Sequence, residues 1–145
     1  MIGLLQRVSE AAVRVKGREL ARIGPGLLVL VGVRREDDGR DAARLAERLL
    51  GYRVFPDAEG RMNRSLADTG GGLLLVPQFT LAANTRKGTR ASFTGAAAPQ
   101  EGRRLFDELV ARTRALHGDV VTGQFGADMR VSLVNEGPVT FWLET

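Results

Sequence analysis

Few side chains in this 145-residue sequence could carry proton-transfer or metal chemistry. The one histidine, His117, ends a helical stretch just before Gly118, where an imidazole is expected to meet the negative end of the helix dipole and not to serve a Ser-His-Asp triad. Zero cysteines exclude disulfides, thiolate nucleophiles and sulfur-ligated zinc. No cluster of histidine and carboxylates stands at metal-ligand spacing, so neither a metal nor another cofactor is expected. A hydrolase made from such a chain would work with backbone N–H donors, a hydroxyl, or a group brought by its substrate. One segment suits that chemistry. Proline in Pro77-Gln78-Phe79-Thr80-Leu81 breaks pairing after the apolar Leu73-Leu74-Leu75-Val76, so the N–H groups of Gln78 and Phe79 could face a ligand, with the Thr80 hydroxyl nearby. The same pattern describes a strand kinked at an edge, with Gln78 outward and Phe79 in the core.

A second segment breaks a rule of sheets. Met129 to Val134 reads as a strand, then Asn135-Glu136-Gly137-Pro138 intervenes before Val139-Thr140-Phe141-Trp142-Leu143 resumes the pattern. Glycine and proline both cost stability inside a paired strand, which on spacing alone implies a trans proline in a hairpin turn or a bulge, a cis bond that re-aims the flanking carbonyls being the rarer alternative. A third segment concentrates positive charge. No acidic residue lies between Thr80 and Pro99, while Arg86, Lys87 and Arg90 stand among Thr85, Gly88, Thr89 and Ser92. Such a loop offers guanidinium, ammonium, hydroxyl and backbone N–H groups to phosphate, although a merely solvated loop has the same composition.

Positioning these segments requires a sheet and helices. The chain is one domain, 1–145, long enough to bury about two thirds of its unfolded surface. Its 43% hydrophobic and 26% charged residues are ordinary for a globular protein. Gly3–Val15, Glu19–Ile23 and Gly26–Val33 read as three opening strands, separated by Gly17 and by Gly24-Pro25. From Asp38 the period becomes helical: Ala42, Leu45, Ala46, Leu49 and Leu50 form one stripe, with Asp37 or Asp38 to cap it and Gly51 to stop it. Tyr52–Phe55 and Leu73–Val76 read as short strands. Pro99 opens a second helix whose buried stripe is expected to be Leu105, Phe106, Leu109, Val110 and Leu116; Val120–Thr122 and Met129–Leu143 close the chain as strands. The longest apolar run, Gly26–Val33, is far below the roughly 20 residues of a membrane span. Met1-Ile2-Gly3-Leu4-Leu5-Gln6-Arg7 lacks a signal-peptide pattern, so no membrane partner and a cytoplasmic location are expected.

At the two interrupted strands the chain resembles the D-aminoacyl-tRNA deacylases, whose signature motifs are Ser-Gln-Phe-Thr-Leu and Asn-x-Gly-Pro-x-Thr. Here they stand as Pro77-Gln78-Phe79-Thr80-Leu81 and Asn135-Glu136-Gly137-Pro138-Val139-Thr140. Gln6-Arg7-Val8-Ser9-Glu10-Ala11, Met62-Asn63, Thr85-Arg86-Lys87-Gly88 and Phe125-Gly126-Ala127-Asp128-Met129 extend the resemblance along the whole chain. It implies a compact α/β (α+β) domain with a mixed, mostly antiparallel, barrel-like sheet and two main helices packed on it, assembled as a homodimer. It further implies a cis Gly137-Pro138 bond inserted into the partner subunit's active site, where the carbonyls of Gly137 and Pro138 hold the substrate amino group and exclude an L side chain. Arg7 would brace that turn, with Asn135 supporting it.

The implied reaction is hydrolysis of the ester joining a D-amino acid, or mischarged glycine, to the terminal adenosine of tRNA. Gln78 and Phe79 would supply the oxyanion hole, Thr80 would stand beside it, and the ribose 2′-OH would assist. Pro77, Phe93 and Met129 are candidates for the substrate pocket, and Arg86, Lys87 and Arg90 for tRNA contact. Pro77 departs from the family serine and removes a hydroxyl and an N–H. A related branch with relaxed chirality also has proline there but carries alanine where this chain has Phe79. The other functional classes are an RNA-binding module without chemistry and a dimeric structural protein whose Gly-Pro turn seals an interface.

Overall fold

The computed structural model describes residues 1–145. Three antiparallel strands open it: β1 (Ile2–Val15), β2 (Arg18–Ile23) and β3 (Gly26–Gly32). β1 is long enough to serve two partners on one edge, pairing β3 through Ile2–Val8 and β2 through Ala11–Val15. Beyond β3 lie β6 (Gly72–Pro77) and β7 (Val120–Thr122), both parallel to their neighbours, and the other edge of β1 pairs with β8 (Met129–Glu144). β2 folds back against β6 and β7, so the mixed sheet nearly closes on itself.

That curvature explains the continuous apolar runs in β3 and β6. Alternate residues point to opposite faces of a strand. Leu27, Val29, Val31, Leu73 and Leu75 face the helices, whereas Leu28, Leu74 and Val76 pack inside the curl with Val8, Val13, Ala21 and Ile23. Both faces are thus buried, and each fully buried leucine contributes about 1.5–3 kcal/mol relative to exposure.

Helix α1 (Gly39–Gly51) carries the expected stripe, all five residues buried, and begins with a capping box between Asp38 and Asp41. Helix α3 (Pro99–Leu116) packs beside it and departs from expectation at one position: Leu116 is 65% exposed, and Thr113 is buried in its place. Continuing the 3.6-residue period from Leu109 and Val110 reaches Thr113, whose hydroxyl donates to the carbonyls of those two residues, so the polar group can be buried at little cost. The polar stretch after α1 is more ordered than its composition suggests. Phe55–Pro56 (β4) pairs with Met62–Arg64 (β5) as a separate ribbon, displaced from the expected Tyr52–Phe55 strand, and Ser65 and Asp68 cap the short helix α2 (Leu66–Thr69).

Candidate active site

Pro77 ends β6, and the chain turns into a single 3-10 turn, Phe79–Ala82. The Gln78 N–H is not free for a ligand: it donates to Val31 O at 2.7 Å, extending the β3–β6 ladder by one bond. This corrects half of the expected donor pair. The N–H groups of Phe79 and Thr80, which open the turn, have no acceptor within the chain, as helix geometry dictates for first-turn donors. Gln78 instead turns its side-chain amide onto Thr80 Oγ1. Phe79 is 58% exposed, which excludes the alternative in which its ring enters the core; it lies against Phe93, itself 45% exposed, with ring centroids 5.1 Å apart.

Next to this turn is a cleft of about 270 Å³. Val31, Val33, Pro77, Gln78 and Phe79 form one wall, while Pro99, Gly102 and Phe106 of α3, with Phe125 and Gly126, form the other. None of the lining side chains is ionisable. Gly102 packs closely on this wall: a Cβ there would touch the Phe125 ring at 3.4 Å. Phe106 and the Arg103 guanidinium, 5.2 Å from the ring centroid, hold Phe125 from two further sides. Residues 99–106 read only as a helix stripe in the sequence, so their role as a cleft wall could not be seen there. An apolar surround strengthens hydrogen bonds from N–H donors at its edge.

The Gly-Pro segment does not end β8. Gln6 opposes Thr140 and Val8 opposes Asn135, so Glu136–Val139 bulge out of a ladder that continues on both sides. The Gly137-Pro138 peptide is cis, as the resemblance implies. Gly137 has φ +126°, and a Cβ on it would meet Val139 Cγ2 at 2.8 Å and an Arg7 guanidinium nitrogen at 3.1 Å. Arg7 donates from Nε to Glu136 O at 3.2 Å and from Nη1 to Val54 O at 2.6 Å. Asn135 closes the base of the bulge: its Nδ2 donates to Thr140 Oγ1 at 2.8 Å and its Oδ1 accepts the Val139 N–H at 3.1 Å. The part of Val54 had no signal in the sequence, since a carbonyl acceptor has no residue type.

Other candidates separate. Met129 is half-buried against the core inside the curl, its sulfur accepting the Gln124 N–H at 3.3 Å, and it does not line the cleft. Phe93 stands at the rim beside Phe79. Arg86, Lys87 and Arg90 are exposed, free of ion pairs, on a loop closed by paired Asn84–Ser92 backbone bonds at 2.8 and 3.0 Å. His117 caps α3, and its Nε2 meets Gly71 O at 2.7 Å, away from the cleft.

Comparison with known proteins shows the family to which this fold and these segments belong. The family model described as D-Tyr-tRNA(Tyr) deacylase matches residues 4–144. The D-aminoacyl-tRNA deacylase of Thioalkalivibrio sulfidiphilus is 69% identical over 99% of this chain and 97% of its own length, and that of Alkalilimnicola ehrlichii is 62% identical over 99% and 96%. The solved structure of a c-Myc DNA unwinding element binding protein superposes with a TM-score of 0.96 at 32% identity, covering 100% of this chain and 99% of that one. A probable eukaryotic D-amino acid tRNA deacylase has the same fold, with a TM-score of 0.85 at 19% identity over 99% and 98%. With its signature segments at a cleft and a braced bulge, and its family model matched almost end to end, the chain belongs to the D-Tyr-tRNA(Tyr) deacylase family.

Proposed function

We propose that this member of the deacylase family hydrolyses the ester of D-aminoacyl-tRNA, and of mischarged glycyl-tRNA, to free amino acid and tRNA, removing D-residues before they reach translation in the cytoplasm. The observation that carries the mechanism is a cleft without an ionisable lining side chain, lined by Phe79 at the start of a turn whose first two N–H donors, those of Phe79 and Thr80, nothing in the chain uses. Ester hydrolysis needs stabilisation of the oxyanion and activation of water. The Phe79 and Thr80 N–H groups are suited to the first role. The second falls to the substrate's ribose 2′-OH, because Thr80 Oγ1 is bonded by the Gln78 amide and has no general base beside it.

Chirality is read by exclusion. In a homodimer the Gly137-Pro138 bulge enters the partner subunit's cleft, where its carbonyls accept from the substrate ammonium and occupy the space that an L side chain needs. Backbone atoms do the excluding, so many D side chains and glycine pass. Arg7 and Asn135 hold those carbonyls in place through the bonds described above. Arg86, Lys87 and Arg90 meet RNA phosphates near the Phe79 rim. Phe79 distinguishes this chain from the relaxed branch, notwithstanding Pro77.

The test is release of labelled amino acid from D- and L-tyrosyl-tRNA by the purified protein, with chelator present and a Gly137-Pro138 double variant alongside. D-only hydrolysis that survives chelation and is lost in the variant is the expected result. Comparable D and L rates assign the chain to the relaxed branch. Binding without release leaves a nucleic-acid-binding module, a reading favoured only by the name of the 32%-identical structural neighbour.

A further inference from the structure

A nucleotide held in the cleft has two directions in which the rest of an RNA could leave. One passes the Phe79–Phe93 rim toward the Arg86–Arg90 loop. The other passes Gly126, which lines both the cleft and a larger groove of about 750 Å³. That groove is walled by Arg14, Lys16 and Arg130, with Gln124 and Asp128 also facing it. Arg18 stands beside Lys16 in the adjoining depression, which Gln124 also lines.

Three features of this groove are costly for a surface with no ligand. Arg14 and Arg130 are direct cross-strand partners, an arrangement that destabilises a sheet through like-charge repulsion. The neutralisation available is slight: Arg14 reaches Glu19 only at 3.7 Å, while Lys16, Arg18, Arg130 and Asp128 form no ion pair. Lys16 has φ +50°, the sole non-glycine residue with positive φ, in a turn position better suited to asparagine or glycine. The turn therefore presents an ammonium at the mouth of the groove at some conformational expense. Arg103, with Nη2 on Phe125 O at 3.3 Å and its guanidinium over the ring, adds a further unpaired cation beside the cleft wall from which the groove departs.

We propose that the Arg14–Lys16–Arg130 groove binds the sugar-phosphate backbone of the acceptor strand immediately behind its esterified end, which leaves the cleft past Gly126, while the Arg86–Arg90 loop meets phosphates elsewhere on the same tRNA. This inference rests on the deacylase reading and assigns its polynucleotide-binding surface. Spaced cations without base-reading geometry suit contacts to phosphate, which are independent of sequence and weakened by salt.

The experiment compares two substrates, full-length D-tyrosyl-tRNA and the minimal ester 3′-O-D-tyrosyl-adenosine, with wild type, Lys16→Gln/Arg130→Gln and Lys16→Glu/Arg130→Glu. The expected result is a KM for tRNA about tenfold higher in the glutamate pair, a smaller rise in the glutamine pair, and a shallower dependence of KM on salt, while kcat on tRNA and kcat/KM on the minimal ester hold within about twofold. Equal losses on both substrates, or an unchanged KM for tRNA, would overturn the groove assignment. If wild type hydrolyses neither ester, the deacylase reading fails by itself; anisotropy with an uncharged acceptor-stem hairpin then decides the groove, weaker binding by the glutamate pair supporting it and equal binding overturning it.

Discussion

Arg7 ties the Glu136 carbonyl, at 3.2 Å from its Nε, to the Val54 carbonyl, at 2.6 Å from its Nη1, and thereby holds the bulge in β8 against the segment that follows α1. Lysine cannot replace a rigid planar fork that serves two differently placed acceptors. We expect Arg7→Lys and Arg7→Ala to lose kcat/KM on D-tyrosyl-tRNA by about 10- to 100-fold, the range of one or two charge-assisted hydrogen bonds. Steady-state rates on D and L substrates check this, and full activity of Arg7→Lys would show that position, not the fork, is all that matters.

Gly137 adopts φ +126°, a region that disfavours side chains, and a Cβ there would press on Val139 and Arg7. Gly137→Ala should therefore displace the bulge and abolish D-only hydrolysis. The ladder on either side of the bulge should persist, leaving the circular dichroism spectrum unchanged. Retention of wild-type rate and enantioselectivity in this variant would remove the bulge from the chiral filter.

Thr80 contributes a backbone N–H, and its hydroxyl is engaged by Gln78. Thr80→Ser and Thr80→Val should keep much of the activity, within about tenfold, whereas substrate ending in 2′-deoxyadenosine should be hydrolysed at least about 100-fold more slowly. Loss of all turnover in both variants, with the deoxy substrate unaffected, would make the hydroxyl the nucleophile.

Several helix-capping carboxylates titrate below their ordinary range: Asp38 because of the Arg40 side chain and N–H, Asp41 through the Asp38 N–H, and Asp68 through the Ser65 N–H and hydroxyl. A pKa depressed in the folded state means that the unfolded chain takes up protons first as pH falls. Their contribution is complete above the ordinary carboxylate pKa of about 4 and is lost as pH drops through the depressed values. Thermal midpoints should thus hold from pH 8 to 5 and fall below about pH 4. The fall should be shallower in Asp38→Asn and Asp68→Asn; identical slopes in wild type and both variants would place its origin outside the caps.

The loop carrying Arg86, Lys87 and Arg90 has no internal ion pair to break. Replacing all three by glutamine should leave the thermal midpoint within about 2 °C, given that exposed surface substitutions change stability little. It should also lower the salt dependence of tRNA binding by roughly 0.7–0.9 for each phosphate that the loop no longer neutralises. Filter-binding isotherms at several salt concentrations measure this, and an unchanged salt slope would place the RNA away from the loop.

Much of this arrangement is local and therefore legible in the chain. The stripe of α1, the Asp38 cap, the opening strands and the two interrupted motifs follow from periodicity, capping chemistry and the conformational limits of glycine and proline, which act within a few residues. Leu116 departs from its stripe because the end of a stripe depends on what the last turn packs against. The availability of an N–H donor is likewise decided at long range: Val31 lies far from Gln78 in sequence, yet the parallel register of β3 and β6 assigns it the Gln78 N–H and leaves those of Phe79 and Thr80 unused. Met129 packs half-buried against the core inside the curl and outside the cleft lining, and Gly102, Phe106 and Phe125 form a wall, because only the packing of α3 beside the sheet brings these distant segments to one surface. Residue types and spacing determined which local conformations the chain could adopt and which groups could do chemistry. Closure of the sheet decided which of those groups share a cleft, since hydrogen-bond partners and burial belong to contacts between segments remote in sequence.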